Sequence, residues 1–142
     1  MTGILEGRCF CGAVAFEAAG APLEMGYCHC ADCRAWSGAP LVGFTLWPAE
    51  AVRVTRGGDR LGAYSRTGFS KRLFCLVCGG HVLVEHPTLE LVDIPAGKLP
   101  DLAFVPSIHL NYGATCHRMK DGLPKPRDFP ADVGGSGEML PE

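Results

Sequence analysis

No run of apolar residues in this chain approaches the ~20 needed to span a bilayer, which excludes a membrane-spanning helix. Positive charge is not in excess either. Thirteen Lys and Arg stand against 15 Asp and Glu, a net charge of −2, so there is no general attraction to nucleic acid or anionic lipid. The start, Met1 through Arg8, lacks the basic residues and apolar run of a secretory signal. The thiols are therefore expected in a reducing compartment, the cytoplasm, which argues against a disulfide framework. Also missing is any sustained 3.6-residue apolar period, so a helical bundle is excluded.

Cysteine is what the chain has in quantity. Seven of the eight fall in short-spaced groups: Cys9 and Cys11; Cys28, Cys30 and Cys33; Cys75 and Cys78. Cys116 stands alone and is expected to be a small half-buried residue. Short spacing lets neighbouring thiols chelate one ion with little loop-closure entropy, and thiolates suit tetrahedral Zn²⁺. Joining Cys9 and Cys11 with Cys75 and Cys78 completes four ligands across distant segments, as a structural site does. Such a site can supply on the order of 10 kcal/mol of apparent folding energy. The central group offers three thiolates, and a metal held by three protein ligands keeps a position for water or substrate. His29, His109, His117 or Cys116 stays open as a fourth ligand. His29, set between two ligands, is expected to point away from their metal, either supporting it from behind or lying exposed.

At 142 residues the chain is expected to be one domain, residues 1–120 with an extended tail of the same domain over 121–142, where Pro and Gly leave little room for regular structure. The tail is expected to drape over the body and to be mobile at its end. Between them, short β-like runs recur with Gly or Pro separating them, and the fold is predicted to be mainly β. Strands are expected at Ala13–Glu17, Leu41–Trp47, Ala51–Thr55, Leu61–Ser65, His81–Glu85, Leu89–Ile94 and Phe104–Leu110, with a helical turn at Arg34–Trp36; Lys71–Phe74 delivers Cys75 and Cys78. Arg56-Gly57-Gly58-Asp59 reads as the turn of a hairpin joining the third and fourth of these strands. The segment from Arg53 to Arg72 is cationic and is read as a solvated face, with a rim attracting a small anionic substrate as the alternative.

The order Gly7-x-Cys9-x-Cys11-Gly12, then Cys28-His29-Cys30-x-x-Cys33-Arg34-x-x-Ser37-Gly38-Ala39-Pro40, then Phe74-Cys75-x-x-Cys78-Gly79 resembles the glutathione-dependent formaldehyde-activating enzyme family, which includes the centromere protein V domain. The resemblance implies an Mss4-like zinc-binding fold of antiparallel sheets. It implies two zinc ions, a structural one at Cys9, Cys11, Cys75 and Cys78 and a catalytic one at Cys28, Cys30 and Cys33. It also implies a carbon-sulfur lyase activity joining glutathione and formaldehyde as S-(hydroxymethyl)glutathione, with a small thiol and an aldehyde as partners. Arg34, Lys71 and Arg72, near the thiol groups in sequence, are assigned to a substrate carboxylate because cationic side chains, an arginine fork above all, suit that group. The competing reading is a non-catalytic, zinc-stabilised protein-binding module of the same fold; a homodimer stays open under either. A methionine sulfoxide reductase relative ranks third, since Thr115-Cys116-His117 does not supply the Arg-x-Cys-x-Asn setting such enzymes need.

Overall fold

The structure, a computed structural model, describes residues 3–142; Met1 and Thr2, part of the N-terminal stretch read above, lie outside them. The chain forms two compact units. The first takes in the described residues through Glu24 together with Thr45–Phe104, and the second Met25–Phe44 with Val105–Glu142.

In the first unit, β1 (Ile4–Arg8), β2 (Ala15–Ala19) and β5 (Val52–Arg56) make an antiparallel sheet in the order β1-β2-β5. Gly7 lies opposite Phe16 in this sheet. A Cβ on Gly7 would come within 2.4 Å of the Phe16 ring and 2.5 Å of the Lys98 carbonyl, so only glycine allows the approach. Four further strands, β6 (Leu61–Tyr64), β7 (Lys71–Cys75), β8 (His81–His86) and β9 (Leu91–Pro95), follow as an antiparallel meander. Their alternating apolar residues, with Val14, Phe16 and Trp47, form the core. Trp47, fully buried, donates its indole N–H to Thr45 Oγ1 at 2.8 Å, and that hydroxyl donates to the Ile94 carbonyl at 2.7 Å. Those two bonds pair the polar atoms of Trp47 and Thr45 inside the core. Truncating such an aromatic costs about 3–5 kcal/mol.

The expected hairpin across Arg56–Asp59 does not form. β5 pairs with β2, and β6 pairs with β7. Gly57 adopts φ +75° and packs so close to Ala13 that a Cβ would sit 2.1 Å from its carbonyl oxygen, so the turn is pinned against the segment before β2 and passes the chain from one sheet to the next.

β4 (Val42–Pro48) begins in the second unit and ends in the first. β3 (Glu24–Cys28), which lies in the second unit from Met25 on, pairs in parallel with β10, which is only His109–Leu110. The longer strand expected at Phe104–Leu110 is cut short because Pro106 removes a donor. The single α-helix among the described residues, α1 (Ala31–Ser37), starts three residues earlier than the expected turn, taking in Asp32 and Cys33. It stops at Gly38, whose φ of 74° and N–H bond to the Arg34 carbonyl form a left-handed cap. The architecture is mainly β, with antiparallel sheets, one short helix and an extended tail among the described residues, and β3 and β10 pair in parallel.

Candidate metal centres

Each sulfur group is assembled by a tight turn at a strand end. In the first unit, Cys9 and Cys11 follow β1, while Cys75 closes β7 and Cys78 precedes β8; their four Sγ atoms lie within 4.8 Å of one another. Cys9–Cys11 is 3.7 Å and Cys11–Cys75 is 3.9 Å. Four sulfurs at bond lengths of about 2.3 Å around a tetrahedral ion would be about 3.8 Å apart, so the spacing fits. Each sulfur also accepts a backbone N–H: Val14 to Cys9, Ala13 to Cys11, Val77 to Cys75 and Gly80 to Cys78, at 3.3–3.4 Å. Burial opposes the Cys9 thiolate, but the Val14 N–H and the neighbouring thiols outweigh it and bring its pKa down to about 6.

In the second unit, Cys28 ends β3, Cys30 caps α1 and Cys33 lies in its first turn, with the three Sγ atoms again within 4.8 Å. The Cys33 N–H donates to Cys30 Sγ at 3.2 Å, and Cys33 Sγ lies 3.4 Å from Cys28 Sγ. Hydrogen bonds from Cys28 and Cys33 drive the Cys30 pKa down, while Cys28 is pushed up to about 11 and Cys33 further up. Three thiolates this close repel one another, and a bound cation would offset that repulsion. No fourth Cys, His, Asp or Glu joins this group among the described residues. Both donor sets are soft and fit a zinc-like ion.

His29 is neither exposed nor among the sulfurs. It is fully buried, with Nε2 at 2.8 Å from His109 Nδ1 and Nδ1 at 2.8 Å from Thr115 Oγ1. His109, also fully buried, reaches Asp121 Oδ2 through Nε2 at 2.7 Å. Asp121 in turn pairs with Lys125, only 2% exposed, which also meets Glu142 at 2.8 Å. Burial, with His109 adding to it, lowers the His29 pKa to about 4, so the ring is neutral. Asn111 donates its carboxamide N–H to Cys28 Sγ at 3.5 Å. Asn111, Thr115, Asp121 and Lys125 had no signal in the sequence beyond ordinary polarity; His109 was visible only as a fourth-ligand candidate.

The three cations assigned to substrate lie in different places. Arg34, on α1 immediately after Cys33, donates to the carbonyls of His29 at 3.3 Å and Ala114 at 3.0 Å. Lys71 and Arg72 lie on β7 in the first unit, where Lys71 is 3.8 Å from Glu85. Of the other cationic residues, Arg53 pairs with Glu17 at 2.6 Å and Arg56 donates to the Gly12 carbonyl at 2.7 Å, both structural uses. Cys116 is exposed rather than half-buried, its Sγ 3.5 Å from the Pro40 carbonyl.

Fold and sulfur geometry together define a β protein with two separate thiol centres, one of four sulfurs and one of three. The chain belongs to the glutathione-dependent formaldehyde-activating enzyme family, whose model matches residues 4–113. That range holds both centres and His29, His109 and Asn111; Thr115, Asp121, Lys125 and Glu142 lie beyond it. An uncharacterized lyase of Schizosaccharomyces pombe is 31% identical over 74 residues, 52% of each chain, so this chain spans about half the length of that curated relative. A crystal structure of a Rhodobacter sphaeroides protein superposes with a TM-score of 0.56 at 26% identity, covering 72% of this chain and 98% of that one. No helix among the described residues is long and apolar enough to cross a membrane.

Proposed function

We propose that this protein is a zinc-dependent carbon-sulfur lyase that joins a small thiol, glutathione in the family's name, to an aldehyde such as formaldehyde, and runs the same reaction in reverse. The carrying observation is the three-sulfur group with no fourth protein donor among the described residues. In the forward direction the thiol S–H bond breaks, a sulfur-carbon bond forms, and the proton ends on the former carbonyl oxygen. Zinc held by Cys28, Cys30 and Cys33 would supply Lewis acidity, polarising the aldehyde oxygen or lowering the thiol pKa below its free value of about 8.5. Cys9, Cys11, Cys75 and Cys78 would hold the second, structural zinc. The Cys33 N–H and the Asn111 carboxamide draw charge off the sulfurs they touch.

Arg34 is the cation we assign first to a substrate carboxylate, because it shares α1 with Cys33; Lys71 and Arg72 carry the same assignment from β7. Eight free cysteines suit a reducing compartment, and we place the protein in the cytoplasm. We also place the tail, residues 121–142, in the same domain as residues 1–120, supported by its bonds to the segment 109–113 within the second unit.

The binding-module reading has its own support. Phe10, Leu76 and Val77, inside the two turns of the four-sulfur group, are 83%, 61% and 57% exposed and could meet a protein partner. Zinc stoichiometry on protein purified without chelators, repeated with and without glutathione and paired with an adduct-formation assay, decides between them. Two zincs with one perturbed by glutathione, and turnover of the adduct, are expected. Two inert zincs and no turnover would abandon the lyase in favour of the module.

A further inference from the structure

The first unit contains a cavity of about 550 Å³, a volume usual for small-molecule sites. Its wall takes in Glu6, Gly7 and Arg8 in succession. Neighbouring side chains of a strand point to opposite faces, so a cavity that touches three in a row follows the strand's edge. That edge is free, because β1 is an outer strand of its sheet among the described residues. The Cys9 N–H bonds the Val14 carbonyl at 3.0 Å, and the Gly20 N–H bonds the Gly3 carbonyl at 2.9 Å. In an antiparallel pair these bonds alternate, so the odd residues of this stretch turn toward β2. Glu6 and Arg8 therefore turn their backbone N–H and C=O groups outward, ready to pair with an added strand.

Glu6, Arg8, Arg56, Lys98 and Asp101 line the same cavity, and no ion pair joins any of them to another group among the described residues. Arg8 donates through Nη1 alone, to the carbonyls of Cys9 at 3.3 Å and Phe10 at 3.1 Å. Its Nε and Nη2 edge has no protein acceptor among the described residues, and that edge can hold a carboxylate by two parallel bonds. Arg56 donates through Nε and Nη2 to the Gly12 carbonyl, which leaves Nη1. A Cβ on Gly12 would lie 3.6 Å from Arg8 Nη1, so both guanidiniums gather at Gly12. Both also lie opposite Ala15 in the sheet, whose methyl group leaves the space between them open. Carbonyl partners fix the two guanidiniums without cancelling their charge.

We propose that this cavity binds a free di- or tripeptide, laid along β1 as an added strand, with its carboxylate between Arg8 and Arg56 and its ammonium toward Glu6 and Asp101. The lengths agree. Glu6 and Arg8, two residues apart on one face, are about 7 Å apart along the strand, the same rise that separates the ends of an extended tripeptide. A phosphate-bearing ligand suits the site less, because the carboxylates of Glu6 and Asp101 repel a ligand that carries negative charge alone. The proposal uses nothing of the three-sulfur centre, so it stands or falls apart from the lyase reading.

Triglycine, which carries no thiol, is the probe. Titrated into the ¹⁵N-labelled, zinc-loaded full chain, it is expected to shift amide resonances saturably in residues 6–10 and 97–101; no saturable shift there overturns the proposal. Triglycine amide, which lacks the carboxylate, should bind about tenfold more weakly, and equal binding would remove the role given to the arginines. N-acetyl-triglycine, which lacks the ammonium and imitates the end of a longer chain, should also bind more weakly. Equal binding by that probe would make a protein C-terminus the ligand and overturn the free peptide. Arg8→Gln should weaken triglycine binding about tenfold, while Arg53→Gln, outside the cavity wall and paired with Glu17, should leave it unchanged. The same loss in both variants would reduce the effect to general charge attraction and overturn the site. If Arg8→Gln, which also gives up its bonds to Cys9 and Phe10, does not fold, the three peptides on the unaltered chain still decide.

Discussion

The two thiol centres are made of the same side chain and surrounded by different materials. Every sulfur of the four-cysteine group is met by a backbone N–H, and two of its members, Cys9 and Cys75, are buried at 1% and 0% exposure. In the three-cysteine group a side-chain donor, the Asn111 carboxamide, meets Cys28 beside the backbone N–H that meets Cys30, its sulfurs are all half-buried, and the unit that holds it also holds a chain of buried imidazoles and a buried ammonium. Backbone donors come with the fold and are the same whatever the neighbouring side chains are. Side-chain donors are placed one residue at a time and leave room to adjust what the metal does. The first group is built like a staple and the second like a working site.

The sharpest way to break that comparison is to remove one sulfur from each. Cys75→Ser should forfeit most of the folding energy the four-sulfur metal supplies, on the order of 10 kcal/mol, more than a domain's usual stability. It is expected to be insoluble or unfolded by circular dichroism. Cys30→Ser should stay folded, keep one tightly held zinc by elemental analysis, and lose adduct turnover. Equal unfolding by both variants would erase the division of labour.

How much of this was legible beforehand follows from range. Thiols two or three residues apart declare a half-site on their own, and alternating apolar residues such as Val82 and Val84 declare a strand, because both signals are local. The left-handed cap at Gly38 is a local signal of the same kind. The partner of a strand is not local. Gly57 and Gly58 look like hairpin residues, yet the pairing was decided by the approach of Gly57 to Ala13, which no spacing reveals. His29 and His109 are 80 residues apart and meet because β10 adds two residues to β3. The tail misled in a similar way. Its Pro and Gly content suggested a loose end, but Glu142 accepts from the Asp121 and Gly122 amides and from Lys125 at 2.6–2.8 Å, so the end is anchored.

A smaller effect would sharpen the contrast between the units. Lys125→Met removes the buried ammonium but leaves Asp121 and Glu142, about a third exposed, able to hydrate, so the expected loss is about 2 kcal/mol. The loss should be local. Hydrogen exchange should quicken around His109–Thr115 and stay unchanged in β7 and β8. Equal quickening in both units would mean that the network supports the whole chain and is not the private scaffold of the three-sulfur centre.

The smallest expected effect separates this network from the surface pairs of the first unit by its dependence on pH. Partial burial pushes the Asp121 carboxyl up, but hydrogen bonds from Lys125 and His109 outweigh it and hold it well below the usual carboxylate range. Lys125 and the Gly122 and Asp121 amides likewise hold Glu142 down. Burial opposes the Lys125 charge, yet its two carboxylates raise its pKa. Carboxyls with lowered folded pKa values stabilise fully above their unfolded values, near about 4, and that contribution is lost as pH falls through the folded ones. A raised Lys stabilises below its unfolded value, about 10.4, and is lost only as pH rises past the folded one, so the acid window belongs to the carboxylates. Glu142→Gln should therefore lower the denaturant midpoint near neutral pH, and the gap to wild type should close as pH drops from about 4 toward 2. Glu17→Gln, which breaks the exposed Arg53 pair in the first unit, should open little gap at any pH, because its partner is 71% exposed and water already screens the charge. A Glu142→Gln gap that persists unchanged into acid would show that the side chain packs there without using its charge, and the tail would then be a cover over the second unit and not part of its electrostatic frame.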